Sequence, residues 1–330
     1  MLVGRLGRIL AVVLTVVTAV EAAADVNKFF SRYWPNRDTD NGCKAHAKDL
    51  DDSYKEASKL IDAAVDAIAY LKTNKKPGAL KLKDRWNWDR QAQAMLSMFG
   101  IKISSKNGGP LDESRDNFEF VEKIFGQMQD GMKHDQLSMR APPGLYCGVK
   151  AWKYYKPDAS NPLDPTKKIS DEKLFDGKPR WPRGYWYFNG NRVMNPDQTP
   201  EKHNFCGDNV YAFTIAQLTI ITFCDYIWES NNVVKTLNVD MVKEYDHLMA
   251  KERNSLSVTW VHELAHFYGS YPNGGLPDQP AVDQNGKQVK DSKGNPVKTY
   301  GTMYVLNLAK ADADRASRTA DAFALFALAM

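Results

Sequence analysis

Cysteine, histidine and long apolar runs are all scarce in this 330-residue chain. The four cysteines, Cys43, Cys147, Cys206 and Cys224, include no C-x-x-C pair, which argues against a cysteine zinc site. No N-x-S/T sequon occurs, so no N-glycan is expected. Lysine and arginine form no cluster that stands out and the formal charge is only +4, a balance that implies no nucleic-acid partner. One apolar run stands out, from Ile9 to Val20, and it is short for a membrane span. Arg5 and Arg8 precede it and Ala22-Ala23-Ala24 follows, the pattern of a secretory signal peptide over residues 1–24. Without Arg5, Arg8 and Glu21 the chain keeps 42 basic and 39 acidic residues, a net +3. No second apolar run of spanning length follows, so no membrane partner is expected once the signal is removed. No internal repeat or low-complexity tract is read.

The remainder, about 25–330, is expected to be secreted, soluble and extracellular, and to act as a monomer. At 43% hydrophobic residues it is long enough for a full core in one α+β domain. A helical lobe spans about 25–140 and a second lobe about 141–330. Helical spacing of apolar residues runs through 47–71, 86–99 and 115–132. Strands are expected at 144–155, 185–194 and within 209–227, a loop at 158–165, and a helix at 239–251. The Asn/Gly turns within 281–300 suggest a small meander, and a terminal helix covers 312–329. His46 and His134 read as surface histidines. An oxidising compartment favours two disulfides, although four cysteines allow three pairings.

The chemistry is concentrated in Ser257–Gly269, which contains His262-Glu263-Leu264-Ala265-His266. On a helix, residues four apart share a face, so both imidazoles reach one metal ion with Glu263 beside it. Two neutral nitrogen ligands and a proton-accepting carboxylate are what metal-assisted hydrolysis requires. Leu256, Trp260, Leu264 and Phe267 would bury another side of that helix. Asn254 or Ser255 suits its N-cap and Gly269 its end. An edge strand from 209–227 beside this helix is where an extended peptide would lie.

A third ligand is needed, and its identity sorts the zinc hydrolases. Pro272 stands where a metzincin would place histidine, and no glutamate follows His266. Aspartate is therefore the carboxylate available downstream. Here the chain resembles the aspzincins, the deuterolysin and peptidyl-lysine metalloendopeptidase family of secreted fungal zinc proteases. That family joins H-E-x-x-H to G-T-x-x-D-x-x-Y-G and to a terminal helix with an N-A-D-like triplet and aromatics. The matching pieces are Gly274-Gly275-Leu276-Pro277-Asp278, Tyr300-Gly301, and Thr319-Ala320-Asp321 followed by Phe323 and Phe326. Cys206 to Thr214 and Thr222-Phe223-Cys224 resemble the family's cysteine-flanked strands. The specific resemblance covers 206–330. It departs from the pattern at Val297, which stands three residues before Tyr300 where the family has aspartate. An insertion between Asp278 and Tyr300 accounts for this if it returns as a hairpin, and it leaves Asp283 and Asp291 as rival ligands.

The resemblance implies a zincin-like fold and a zinc-dependent endopeptidase acting on proteins or peptides. One Zn²⁺ would be held by His262, His266 and Asp278, with Glu263 as general base and Tyr300 as donor to the oxyanion. It implies further that Asp321 faces a substrate lysine, and that Cys206 pairs with Cys224 and Cys43 with Cys147. The alternative is a secreted zinc-scavenging protein or a catalytically silent protease-like effector. Retention of Glu263 speaks against it.

Overall fold

Apolar residues recurring every three or four positions make the first half helical, as the computed structural model shows. It describes residues 25–26, 30, 42–134, 143–149, 152–188, 191–193, 206, 209–237, 253–269 and 276–330. The signal segment 1–24, the expected helix 239–251, Gly274, Gly275 and the His134 side chain lie outside the described residues. Helices α1 (Ala47–Thr73), α2 (Leu82–Phe99) and α3 (Arg115–His134) occupy the expected stretches. Leu50, Tyr54, Ala57, Ile61, Ala64, Ile68 and Leu71 of α1 are all buried on one stripe. His46 is not a free surface residue, because its ring stacks on Trp228 at 3.9 Å.

The strand-rich middle divides differently from its expected outline. The expected strand at 144–155 is two strands in two sheets, β1 (Gly144–Cys147) and β2 (Lys153–Tyr155). The expected loop at 158–165 instead forms a two-stranded ladder, β3 (Ser160–Asn161) with β4 (Asp164–Lys168). Its turn is closed by Asn161 Oδ1 accepting from Leu163 N and Asp164 Oδ1 from Thr166 N. Strands β5 (Tyr185–Phe188) and β6 (Asn191–Val193) pair antiparallel, with β2 on the outer side of β5. Glu172 ties this aromatic module together by accepting from Asn161, Trp181 and Arg192 at 2.6–2.9 Å. Those donors and the positive charge outweigh desolvation and hold its carboxyl below the usual range.

Strands β7 (Ala212–Ile215) and β8 (Ile220–Phe223) complete a second sheet in the order β1-β8-β7. β8 is the fully buried centre, parallel to β1 and antiparallel to β7, which leaves β7 at the edge among the described residues. The expected strand character to Ile227 stops at Cys224, where a short helix α4 (Asp225–Glu229) begins. The metal-motif helix α5 (Leu256–Gly269) packs against α1, α3, the terminal helix and β7. Its Trp260 is fully buried between Tyr54 at 5.1 Å and Phe223 at 4.6 Å, and its Nε1 donates to Ser53 Oγ.

After α5 the chain makes a closed three-way ladder. Ala281 N donates to Val297 O, Val289 N to Ala281 O, and Val297 N to Val289 O, at 2.8–3.0 Å. No repeat was expected, yet Asp283/Asp291, Gly286/Gly294 and Val289/Val297 recur at one spacing and build two equivalent turns. The expected terminal helix is also divided. α6 (Thr302–Ala311) precedes it, and α7 (Ala313–Ser317) and α8 (Ala320–Ala329) are separate. Thr319 adopts extended geometry and its Oγ1 donates to Arg315 O, which ends α7 and lets α8 start in a new direction. α8 is buried on nearly all sides, with Phe323 and Phe326 against Phe99 and Phe125 at 5.1–5.7 Å.

Both expected disulfides are present, Cys43–Cys147 across 104 residues and Cys206–Cys224 across 18. Chain-entropy reasoning gives about 4.7 kcal/mol for a loop of the first size and about 3 kcal/mol for one of the second. Replacing Cys43 and Cys147 together by serine should therefore lower the urea midpoint more than the same change at Cys206 and Cys224. Equal shifts in the two denaturation curves would show that loop entropy does not dominate.

Candidate metal centre

Helix α5 is buried more completely than a one-sided stripe implies. Val258, Val261, Ala265 and Tyr268 join Leu256, Trp260, Leu264 and Phe267 inside, and the His262/Glu263/His266 strip faces the cleft. Of the two cap candidates, Ser255 is in place, its Oγ accepting from Val258 N at 3.2 Å. A helix held on every other side fixes its polar strip closely, because packed interiors allow little displacement.

Each imidazole has a partner on its far nitrogen. His262 Nδ1 lies 3.1 Å from Asp321 Oδ1, and His266 Nδ1 meets the carbonyl oxygen of Leu276. A carboxylate and a carbonyl only accept, so both Nδ1 atoms carry the proton and both Nε2 atoms present lone pairs. Those lone pairs converge: Nε2 to Nε2 is 3.1 Å. Asp278 Oδ1 completes the triangle, 3.5 Å from His262 Nε2 and 3.3 Å from His266 Nε2. That oxygen is buried and has no hydrogen-bond donor. Three acceptor atoms facing one another require a proton or a metal ion among them. Tetrahedral zinc bonds of about 2.0–2.1 Å set ligand atoms about 3.3 Å apart. The triangle therefore fits a zinc ion, and its N₂O donor set suits one.

The insertion after Asp278 returns as required. Thr299 N and Oγ1 both donate to Gln279 O at 2.8 Å, and Tyr300 Oη donates to Asp278 Oδ2 at 2.6 Å. Asp283 and Asp291 lie in the two turns. There Asp283 Oδ1 accepts from Asn285 N and Lys287 N, and Asp291 Oδ1 from Lys293 N and Asn295 N. Neither belongs to the cluster of ligand atoms, which consists of His262, His266 and Asp278. Asp321, expected to face substrate, lines the cleft but directs Oδ1 to His262 and Oδ2 to Gly301 N. Glu263 is 3% exposed, and Thr214 Oγ1 of β7 donates to its Oε2 at 2.7 Å.

Charge is dense here. Burial pushes the Glu263 carboxyl up. Without a metal ion, burial works against charge on His262, but the hydrogen bond to Asp321 and the charge of Asp278 prevail and raise it to about 9, so a proton and a metal ion compete for its Nε2. Asp278 is held far below the carboxylate range, its desolvation outweighed by the two histidines and Tyr300. Desolvation and then Asp278 push the Tyr300 phenol well up, so it stays protonated. Thr214, the Leu276 carbonyl and the Asp321–His262 pair have no motif of their own. A backbone carbonyl has no sequence signature, and the other two depend on how separate elements meet.

No family model matches the chain, and no curated protein matches it. Among solved structures, a zinc peptidase from Grifola frondosa aligns over 82% of this chain and 92% of that one. The identity is 14% and the TM-score 0.34, so the site is read from its own geometry.

Zinc content of single variants checks the assignment. Asp278→Ala should empty the site, whereas Asp283→Ala and Asp291→Ala should keep one zinc and lose only turn stability. Asp321→Ala should weaken zinc about 10–100-fold, as loss of a ligand-orienting partner does. Full zinc in the Asp278 variant, measured by metal analysis after dialysis, would reject the triangle as the site.

Proposed function

We propose that the chain is a secreted zinc endopeptidase with a zincin-like fold, in keeping with its resemblance to the aspzincins. The observation that carries this reading is Glu263, held by Thr214 beside three converging acceptors with no donor of their own. Zinc bound there would supply Lewis acidity to the scissile carbonyl and make a water molecule acidic near neutral pH. Glu263 takes the proton from the attacking water, keeps it in the buried pocket, and passes it to the leaving amine. A carboxyl whose pKa is raised by burial suits both halves of that transfer. Thr214 fixes the carboxylate's orientation through Oε2.

Tyr300 is protonated and its hydroxyl donates to Asp278 Oδ2; turning that one proton to the oxygen that gains charge as the carbonyl is attacked would make it the oxyanion donor. The edge strand β7 lies along one wall of the cleft, where an extended peptide can add to it through backbone hydrogen bonds. His262, Glu263 and Tyr300 line both cavities of the cleft, so substrate on either side of the scissile bond has space. Two disulfides and the sequence of residues 1–24 support export to an oxidising compartment. A scavenging protein has no use for a carboxylate anchored next to the ligands, which favours the hydrolase.

Turnover of a quenched peptide mixture, with and without chelator, tests the proposal. Activity should disappear with chelator and return with zinc. Glu263→Gln should retain zinc and lose about 10²–10⁴ in kcat. Tyr300→Phe should lose about 10²–10³ in kcat, with KM little changed. Tight zinc with no turnover of any peptide would reject the endopeptidase in favour of a binding protein.

A further inference from the structure

From the same cleft, and resting on its reading as a peptidase site, we infer that Arg253 selects substrates presenting a carboxylate next to the scissile bond. The cavity on this side measures about 260 Å³. That is slightly below the roughly 300–1,000 Å³ of typical ligand pockets, a space for one side chain rather than a long ligand. His262, Glu263 and Tyr300 form its inner end, and Tyr211, Arg253 and Asp321 line the rest.

Asp321 is the obvious group to choose a cationic side chain, but its oxygens are engaged by His262 and by Gly301 N. Withdrawing either contact for a substrate lysine would release the imidazole it orients or leave a backbone N–H unpaired. Arg253 is in the opposite condition. It is exposed, and among the described residues it has no hydrogen bond or ion pair. Its guanidinium lies over Gly301, where a Cβ would collide with Nη1. Gly301 has φ of +86°, so both its backbone conformation and the guanidinium above it call for glycine. Any side chain at this position would push the guanidinium away from the cavity. Next to the metal centre, the chain thus keeps open the place of an unpaired cation with five donors.

A guanidinium fork fits a carboxylate through two parallel N–H···O bonds, a fit that ammonium does not reproduce. Two sources carry this chemistry: an aspartate or glutamate side chain adjoining the cleaved bond, and the substrate's own C-terminal carboxylate. The first makes the enzyme an endopeptidase for acidic sites. The second makes it trim chain ends. Either is opposite to the lysine preference that a substrate-facing Asp321 would confer.

The decisive measurement is peptide binding to zinc-loaded Glu263→Gln protein by fluorescence anisotropy, which needs no turnover. Amidated peptides differing at one randomised position should bind about tenfold tighter with glutamate than with glutamine, the size of one charge-assisted hydrogen bond. Lysine should bind weakest. Adding Arg253→Gln should erase the glutamate preference, Arg253→Lys should restore part of it, and added salt should weaken it. A peptide without acidic side chains that binds tighter with a free carboxyl terminus than when amidated would assign the terminus as the source. Tightest binding of lysine peptides, equal binding of all three, or a preference surviving Arg253→Gln would each overturn the inference. Turnover by the unsubstituted protein separates this from the parent reading. Preferential binding without cleavage rejects the peptidase and keeps the Arg253 site; cleavage without preference does the reverse.

Discussion

Three ligand atoms brought within 3.1–3.5 Å of one another are the constraint on which the rest of the site depends. In a buried setting such convergence is unfavourable unless a cation resolves it, and every surrounding contact keeps the lone pairs pointed inward. Asp321 and the Leu276 carbonyl hold the imidazole protons on the outer nitrogens. Tyr300 occupies the other oxygen of Asp278, leaving Oδ1 alone for the centre. Thr214 keeps Glu263 beside the triangle but out of it.

Rigidity in the scaffold makes this arrangement sustainable. α5 has packing partners around it in α1, α3, α8 and β7, so its polar strip cannot turn away from the cleft. The aromatic cluster around Trp260 anchors its first turns to α1 and to the central strand β8. On the far side, the three-way ladder from Ala281 to Val297 closes on itself and sets Gln279 against Thr299. Its role is geometric: it brings Asp278 and Tyr300, separated by a long insertion, to one point. The break at Thr319 has a similar effect, because a continuous terminal helix would not direct Asp321 toward His262 while burying Phe323 and Phe326.

The cleft is electrically uneven. Asp278, Glu263 and Asp321 concentrate negative charge at the centre, which a bound cation would balance, while Arg253 stands at the margin of one cavity. The other cavity, about 430 Å³, is bordered by β7 and by the Leu276-Pro277-Asp278 segment and offers no such cation among its described lining. A polypeptide crossing the centre would meet a backbone-pairing wall on one side and a charge-selecting pocket on the other.

The sequence by itself determined the three long helices, the two histidines and glutamate of one helix face, and the placement of four cysteines. All of these rest on local periodicity, fixed spacing or composition. It also narrowed the third acceptor to a few aspartates, because no glutamate follows His266. Which aspartate meets the histidines was decided by tertiary structure: Asp283 and Asp291 are consumed by their own turns, and the closed ladder carries Asp278 inward. The division of the terminal helix, the hairpin at Ser160–Lys168 and the two-sheet split of 144–155 were likewise beyond local reading. Each depends on partners far along the chain. The same holds for Asp321, whose neighbours are His262 and Gly301, and for Arg253, whose position is defined by the glycine beneath it. A side chain's type is written locally, whereas the direction in which it acts is set by whatever the fold places opposite it.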